Sequence, residues 1–497
     1  IVFGDWSSDV CSSDLLTTQI VNRLTRIFGN KVGVYHSKYS DAERMEIWNR
    51  LLTPDADNHC PVILGVRSSV FLPFSNLGLI IVDEEHETTY KQFDPAPRYH
   101  ARDAAIYLAH IHQANVLLGS ATPSLESYQN TISGKYALVE LNTRYLNIEM
   151  PNIRLANLKE ARHKKQMKAI FTPDLFAFIQ DALSRKEQII LFQNRRGYSP
   201  VLECTDCGWI PHCKNCDVSL TYHRRNNQLV CHYCGYTETT WTRCQQCRSS
   251  KLETMGIGTE RIEDDVSLLF PEAKVVRMDL DTTRGKNSYY QIIDDFENHR
   301  TDILVGTQMV SKGLDFNNVS LVGILNADSM LNYPDFRAHE KAFQMMAQVA
   351  GRAGRKNKQG NVVIQTSQPD HPILKRIIEN NYQEMFSHET EERLKFHYPP
   401  FFRLIRISAK HKDFNVLNAA SAKLAEGLRN IFGNRVLGPE FPVISRIQDK
   451  YIKNILIKME KDRAMDKIRG LIFQETNKLL SDRALSTLII NFDVDPI

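Results

Sequence analysis

What these 497 residues lack narrows the reading before any motif is considered. No run of ~18 apolar residues occurs, so no segment is fit to cross a bilayer as a helix. No pattern of basic, apolar and small residues marks a secretory leader, and cytoplasmic residence is the expectation. Bulk charge is nearly absent: 62 Lys+Arg against 58 Asp+Glu leave a formal +4. Two zinc ions held by eight thiolates would offset even that, so any nucleic-acid affinity must come from local patches. Scattered cysteines are scarce. Only Cys11 and Cys60 of the ten stand outside one short segment, which argues for metal and against a disulfide framework. No G-x-x-x-x-G-K-[ST] occurs anywhere, so the usual glycine-rich phosphate cradle is not encoded in these residues.

What is there reads as globular protein, 42% hydrophobic and 24% charged, long enough for roughly three or four domains. Residues 1–15, with two SSD triplets and no period, stand apart and read as a non-native tail; a disordered N-terminus is the alternative. From residue 16, VGVYHS, PVILGV, LGLIIVDE and NVLLGSAT read as buried parallel strands, with a capping box at Ser40–Glu43 opening a helix. A second set follows: QIILFQ, KVVRMD, DILVGT, VSLVGIL and NVVIQT. The expected organisation is α/β: lobe 1 over 16–150, and lobe 2 over 151–200 and 253–396, interrupted by a cysteine-rich insert over 201–252. After Tyr398-Pro399-Pro400 a β-α-β-β-α-β order predicts a small ferredoxin-like α+β domain over 397–497.

Asp83-Glu84-Glu85-His86 follows an apolar strand directly. A carboxylate there can hold Mg²⁺ while its neighbour orients an attacking water. Ser120-Ala121-Thr122 follows the next strand, where hydroxyls can bond the acidic motif and relay nucleotide state. In the second set, GTQMVSKGLDF (306–316) follows a strand, and Gln348, Arg352 and Arg355 lie in QVAGRAGR. Spacing of three predicts that the two arginines share one face of a helical turn. An arginine supplied across a cleft accelerates phosphoryl transfer by ~10³–10⁵. Taken singly, an acidic strand end or a basic turn is ordinary solvated surface; their ordered succession is not.

Four C-x-x-C pairs occupy the insert: Cys204/Cys207, Cys213/Cys216, Cys231/Cys234 and Cys244/Cys247. Zinc takes four such ligands tetrahedrally, so two closed structural sites use every cysteine. A hairpin-length stretch between the middle pairs suggests joining Cys213, Cys216, Cys231 and Cys234, with the outer pairs closing a second site; spacing also permits sequential pairing. His212, His223 and His232 read as bystanders. The insert can also present Trp209, Tyr222, His223 and Trp241 to DNA or protein. Tyr90-Lys91-Gln92-Phe93 and Arg98-Tyr99-His100 combine aromatics that stack on bases with cations that hold phosphates. Ordinary loop packing is the competing reading.

The acidic tetrad, SATPS, GTQMVSKGLDF and QVAGRAGR, in this order, resemble superfamily 2 helicases. The linking text HSKYSDAER, ILGVRSSVFLPFSNLGLIIVDEEHETTYKQ and FQNRRGYSP, with the eight-cysteine insert, narrows the resemblance to the primosomal replication-restart helicase family. The resemblance covers 16–497 and implies two RecA-like lobes and a DNA-dependent ATPase unwinding 3′→5′ at forked and single-stranded DNA. It further implies primosome proteins and single-strand binding protein as partners, Mg²⁺ with ATP, two zinc ions and no membrane. It favours nested cysteine pairing. It assigns Asp83 and Glu84 to metal and water, Arg352 and Arg355 to phosphate, with Gln348 beside them. His86, Ser120, Thr122, Lys312, Gly313 and Asp315 fall to nucleotide coupling, and Tyr90, Lys91, Phe93, Arg98 and Tyr99 to DNA. Thr17-Thr18-Gln19-Ile20 matches the family's first nucleic-acid motif, with Thr18 where proline is expected. The family carries its phosphate loop upstream of residue 16, so the chain as written is expected not to hydrolyse ATP at a useful rate. A zinc-stapled adaptor without ATPase activity is the second reading. An RNA helicase is a third, disfavoured by the insert.

Overall fold

A computed structural model describes residues 2–3, 21, 23–36, 39–53, 60–141, 143, 149–194, 201–216, 218–223, 227–254, 259–279, 282–283, 288–311, 316, 318–354, 359–461 and 464–496. Lobe 1 is a parallel sheet in the order Val32–Tyr35, Val62–Gly65, Val2–Phe3, Leu79–Val82, Asn115–Leu118. Val2–Phe3, within the stretch read as a non-native tail, takes the central place in this sheet. Two adjacent apolar residues suffice to fill the slot between Val62–Gly65 and Leu79–Val82. The capping box forms: Glu43 N donates to Ser40 Oγ at 3.3 Å, Ser40 N to Glu43 Oε2 at 2.7 Å, and the helix runs Asp41–Leu52.

Lobe 2 is a six-stranded parallel sheet, ordered Val275–Met278, Ile303–Gly306, Gln188–Phe192, Val319–Ile324, Asn361–Thr366, Asn152–Asn157. Its central strands are buried along their whole length because helices cover both faces, which is why they read as unbroken apolar runs. The edge strand Asn152–Asn157 escaped the sequence reading. NIRLAN has no such run, yet it pairs with Asn361–Thr366 over six residues.

The C-terminal domain has the expected β-α-β-β-α-β order. Its antiparallel sheet runs Val436–Glu440, Lys450–Glu460, Phe402–His411, Ile489–Val494, with helices Phe414–Phe432 and Met465–Leu480 packed on one apolar cluster. This is the ferredoxin-like arrangement. Among the described residues, no helix is long and apolar enough to cross a membrane.

Candidate nucleotide and nucleic-acid site

The strand Leu79–Val82 ends with Asp83 exposed and Glu84 half-buried, at the side of lobe 1 that faces lobe 2. Glu84 has φ +47, a left-handed conformation that costs a non-glycine residue on the order of 1–3 kcal/mol. Local bonds hold it there: Glu84 N donates to Asp83 Oδ1 at 3.0 Å, Glu85 N to Gly119 O at 3.0 Å and Glu87 N to Glu84 O at 2.9 Å. His86 Nδ1 lies 2.7 Å from Ser120 Oγ and 3.6 Å from Glu84 Oε2. Thr122 N donates to Ser120 Oγ at 3.0 Å. The acidic motif and the hydroxyl motif are therefore one hydrogen-bonded unit.

Across the cleft stands the helix Ala338–Ala350 of lobe 2. Gln348 Nε2 reaches Glu84 Oε1 at 3.5 Å. Arg352 follows the helix; burial draws its pKa down to about 10 against the pull of the Glu84 carboxylate. The helix ends at Ala350, and Gly354 with φ +75 turns the chain before residue 355. Gly360 is required by this turn, since a Cβ there would lie 2.3 Å from Gly354 N. Arg355, Lys312, Gly313 and Asp315 lie outside the described residues, as do Thr17-Thr18-Gln19-Ile20. His86, Phe93, Tyr333, Lys341, Gln344 and Gln348 are among the residues lining a cleft of about 200 Å³ between the lobes.

A denser junction lies behind this opening, and sequence reasoning missed it. Glu85 is buried and accepts from Ser124 N at 2.6 Å, Ser127 Oγ at 2.7 Å and Arg102 Nη1 at 2.8 Å. The same turn docks on lobe 2. Leu125 N donates to Glu340 Oε1 at 2.9 Å, Tyr382 OH to Pro123 O at 2.8 Å, and Gln344 Nε2 to Thr122 O at 3.3 Å. Arg393 Nη2 meets Glu340 Oε2 at 2.5 Å, while Arg337 and Arg393 each reach Glu126 Oε1 at 3.4 Å. Burial alone would raise the Glu126 carboxyl, but Arg393, Arg337 and Arg102 hold it at about 2. The spacing of Glu340 and Gln344 on the apolar helix AHEKAFQMMAQVA was the available signal: two polar residues on a buried face.

Of the candidate DNA-facing side chains, two are turned inward. Tyr90 is 2% exposed and its OH donates to Asp83 O at 2.6 Å. Lys91 is 3% exposed and paired with Asp493 of the C-terminal domain at 2.9 Å. Neither is open to a base or a phosphate, because Tyr90 completes the lobe 1 core and Lys91 neutralises a buried carboxylate. Phe93, 48% exposed, sits on the loop that follows. Arg98 Nε caps Phe93 O at 2.7 Å, and Tyr99 meets the exposed Phe71 edge-on at 4.8 Å.

The cysteines gather into two groups, Cys204/Cys207/Cys244/Cys247 and Cys213/Cys216/Cys231/Cys234, the nested pairing. None of His212, His223 or His232 joins either group. Sγ–Sγ separations of 3.6 Å (Cys204–Cys247), 3.5 Å (Cys207–Cys244) and 3.6 Å (Cys213–Cys234) approach the edge of about 3.8 Å that a tetrahedron with Zn–S bonds of about 2.3 Å requires. The donor set fits zinc. The inner group packs into an apolar cluster with Phe336 of lobe 2 and Tyr398, Leu404 and Leu456 beyond it. Tyr398 OH donates to Cys216 O at 3.1 Å, and His232 Nδ1 lies 2.6 Å from Phe441 O. The outer group is more open: Cys247 is exposed, and Ser249 and Lys251 brace Asp206 at 2.6 and 3.0 Å.

Comparison with known proteins agrees with this arrangement. Family models match for the DEAD/DEAH box helicase (residues 10–131), the helicase conserved C-terminal domain (247–357), the PriA DNA helicase Cys-rich region (213–238) and the primosomal protein N C-terminal domain (395–497). The replication restart protein PriA of Borreliella burgdorferi is 33% identical over 489 residues, covering 96% of this chain and 70% of that protein. The chain belongs to the PriA family of replication restart proteins. PriA of Bacillus subtilis is 38% identical over 483 residues, covering 97% of this chain. The chain spans 59% of that relative's length and 58% of the PriA of Synechocystis, to which it is 37% identical over 497 residues. Among solved structures, RecG bound to a three-way DNA junction covers 78% of this chain at 13% identity and TM-score 0.42, with 39% of that chain matched. Two helicase lobes, a two-site cysteine insert in the second lobe and a ferredoxin-like C-terminal domain thus make up this PriA-family fold.

Proposed function

We propose that the lobes form an ATP-driven DNA helicase motor, unwinding 3′→5′ at forked DNA and serving replication restart in the cytoplasm. The observation that carries this reading is the facing of Glu84 on lobe 1 by Gln348 and Arg352 on lobe 2. In it, Asp83 would hold Mg²⁺, which screens phosphate charge when bound. Glu84 orients and deprotonates the attacking water. Arg352, and Arg355 beyond the described residues, stabilise charge developing on the phosphate, and Gln348 positions Glu84. His86, Ser120 and Thr122 relay lobe closure to the junction behind them, with Lys312, Gly313 and Asp315 expected at the same interface. Phe93, Arg98 and Tyr99 contact single strands. Tyr90 and Lys91 are not DNA contacts in this reading.

The eight cysteines hold two zinc ions as closed structural sites. Partners, by family membership, are forked and single-stranded DNA, primosome proteins and single-strand binding protein. No G-x-x-x-x-G-K-[ST] occurs in these residues, and the reading assigns the phosphate cradle to none of them. The decisive comparison is DNA-stimulated ATP turnover of the full-length protein, its Glu84→Gln variant and this 497-residue chain, alongside zinc content. The reading expects turnover in the first, its loss in the second, negligible turnover in the third and two zinc ions per chain in all. A Glu84→Gln protein as active as wild type would refute it.

A further inference from the structure

We propose that Lys91 is a positioning residue through which the C-terminal domain sets the geometry of the Asp83–Glu84 strand end. The inference rests on the nucleotide role given above to that acidic pair. The Lys91 side chain is 4% exposed, and its ammonium lies 2.9 Å from Asp493 Oδ1 and 2.7 Å from Val494 O. Asp493, 1% exposed, is fixed in turn. It lies on the strand Ile489–Val494 directly opposite Arg406, whose Nη2 donates to its second oxygen at 2.8 Å. A buried ammonium is tolerated only with such a partner. The pairing therefore fixes residue 91 against a domain some 400 residues away in sequence.

On its own side Lys91 is rigid. Its N–H donates to Thr88 O at 3.1 Å, and Arg67 Nη1 holds both Thr89 O at 3.2 Å and Lys91 O at 3.1 Å. An antiparallel bridge from Lys91 to His100 closes the base of the loop that carries Phe93. The preceding residue, Tyr90, donates to the backbone carbonyl of Asp83 at 2.6 Å. Two consecutive side chains thus join the last strand of the C-terminal domain to the residue expected to hold metal. They do so at the foot of the exposed aromatic loop. Burying Tyr90 needs only the lobe 1 core; burying a cation beside it needs the other domain. Displacing this anchor would let the loop base and the Asp83 carbonyl shift together. A displacement of about 1 Å at reacting groups can cost roughly a hundredfold in rate.

The test uses DNA-stimulated ATP hydrolysis by the full-length protein with Lys91→Met, Lys91→Arg and Asp493→Asn, together with hydrogen exchange on this chain. Lys91→Met is expected to lower kcat by roughly tenfold to a hundredfold while KM for ATP stays within about twofold. Lys91→Arg is expected to recover most of the loss. Amides of 83–91 are expected to exchange faster in Lys91→Met, with those of 405–410 unchanged. A folded Lys91→Met enzyme with wild-type kcat overturns the proposal, as does a loss that arginine does not recover. Should Lys91→Met fail to fold, Asp493→Asn, of the same shape, carries the same expectation for kcat and for the amides of 83–91. A wild-type protein without turnover would instead sink the motor reading. In that case unchanged exchange over 83–91 in the variants overturns the positioning role on its own.

Discussion

The two lobes touch in two unlike ways. Behind the SATPS turn, buried Glu340, Arg337 and Arg393 and half-buried Glu126 form an ionic junction, joined by Leu125 N and Tyr382 OH. In front, at the acidic pair, Gln348 Nε2 reaches Glu84 Oε1 at 3.5 Å, beside a half-buried Arg352. The back is charge-matched and borders a cavity of about 760 Å³; the front joins an amide to a carboxylate and borders one of about 200 Å³. A junction of buried, mutually neutralised charges resists opening, since parting them strands a charge out of water. The two ends of one interface thus differ in kind: an ion-paired seam at the back, and a mouth in front where Gln348 meets Glu84.

Removing one member of the seam should have the largest effect. Arg393→Ala leaves Glu340 and Glu126 short of a buried partner, and an unfolding free energy lower by about 3–5 kcal/mol is expected from denaturant titration. A loss below about 1 kcal/mol would show that the seam is not held by these charges. Acidification probes the same seam more gently. The Glu126 pKa is depressed to about 2, so its contribution is present above the ordinary carboxylate pKa near 4.5 and is lost as pH falls through about 2. The stability gap between wild type and Glu126→Gln should therefore be full at pH 7, still present at pH 4.5 and shrinking below it. A gap that vanishes between pH 7 and 5 would contradict this assignment. The smallest effect belongs to the mouth: Gln348→Ala should change unfolding free energy by less than about 0.5 kcal/mol. If Gln348→Ala destabilised as much as Arg393→Ala, the two ends would not differ.

The same contrast explains what could be read from sequence. Strands buried on both faces announce themselves as apolar runs, and so all of QIILFQ, DILVGT and VSLVGIL were placed. Cysteine spacing limited the insert to two four-ligand sites but also permitted sequential pairing; the family resemblance favoured the nesting that the structure has. The capping box at Ser40 is local chemistry and needs no tertiary information. The seam is the opposite case. Whether Glu340 faces water or Arg393 depends on a helix 53 residues further on, which no local pattern encodes. Lys91 misled for the same reason, because a cation among aromatics reads as a nucleic-acid contact until Asp493 is seen beside it. The edge strand Asn152–Asn157 was hidden by its own polarity.

The central claim is that the mouth binds one nucleotide between Glu84 and Arg352. Its most direct measurement is DNA-stimulated ATP turnover by full-length Arg352→Ala, scored beside its unfolding free energy. A fall of ~10³–10⁵ in kcat with stability held within about 1 kcal/mol of wild type is predicted. Turnover within tenfold of wild type, in a protein equally folded, would contradict it.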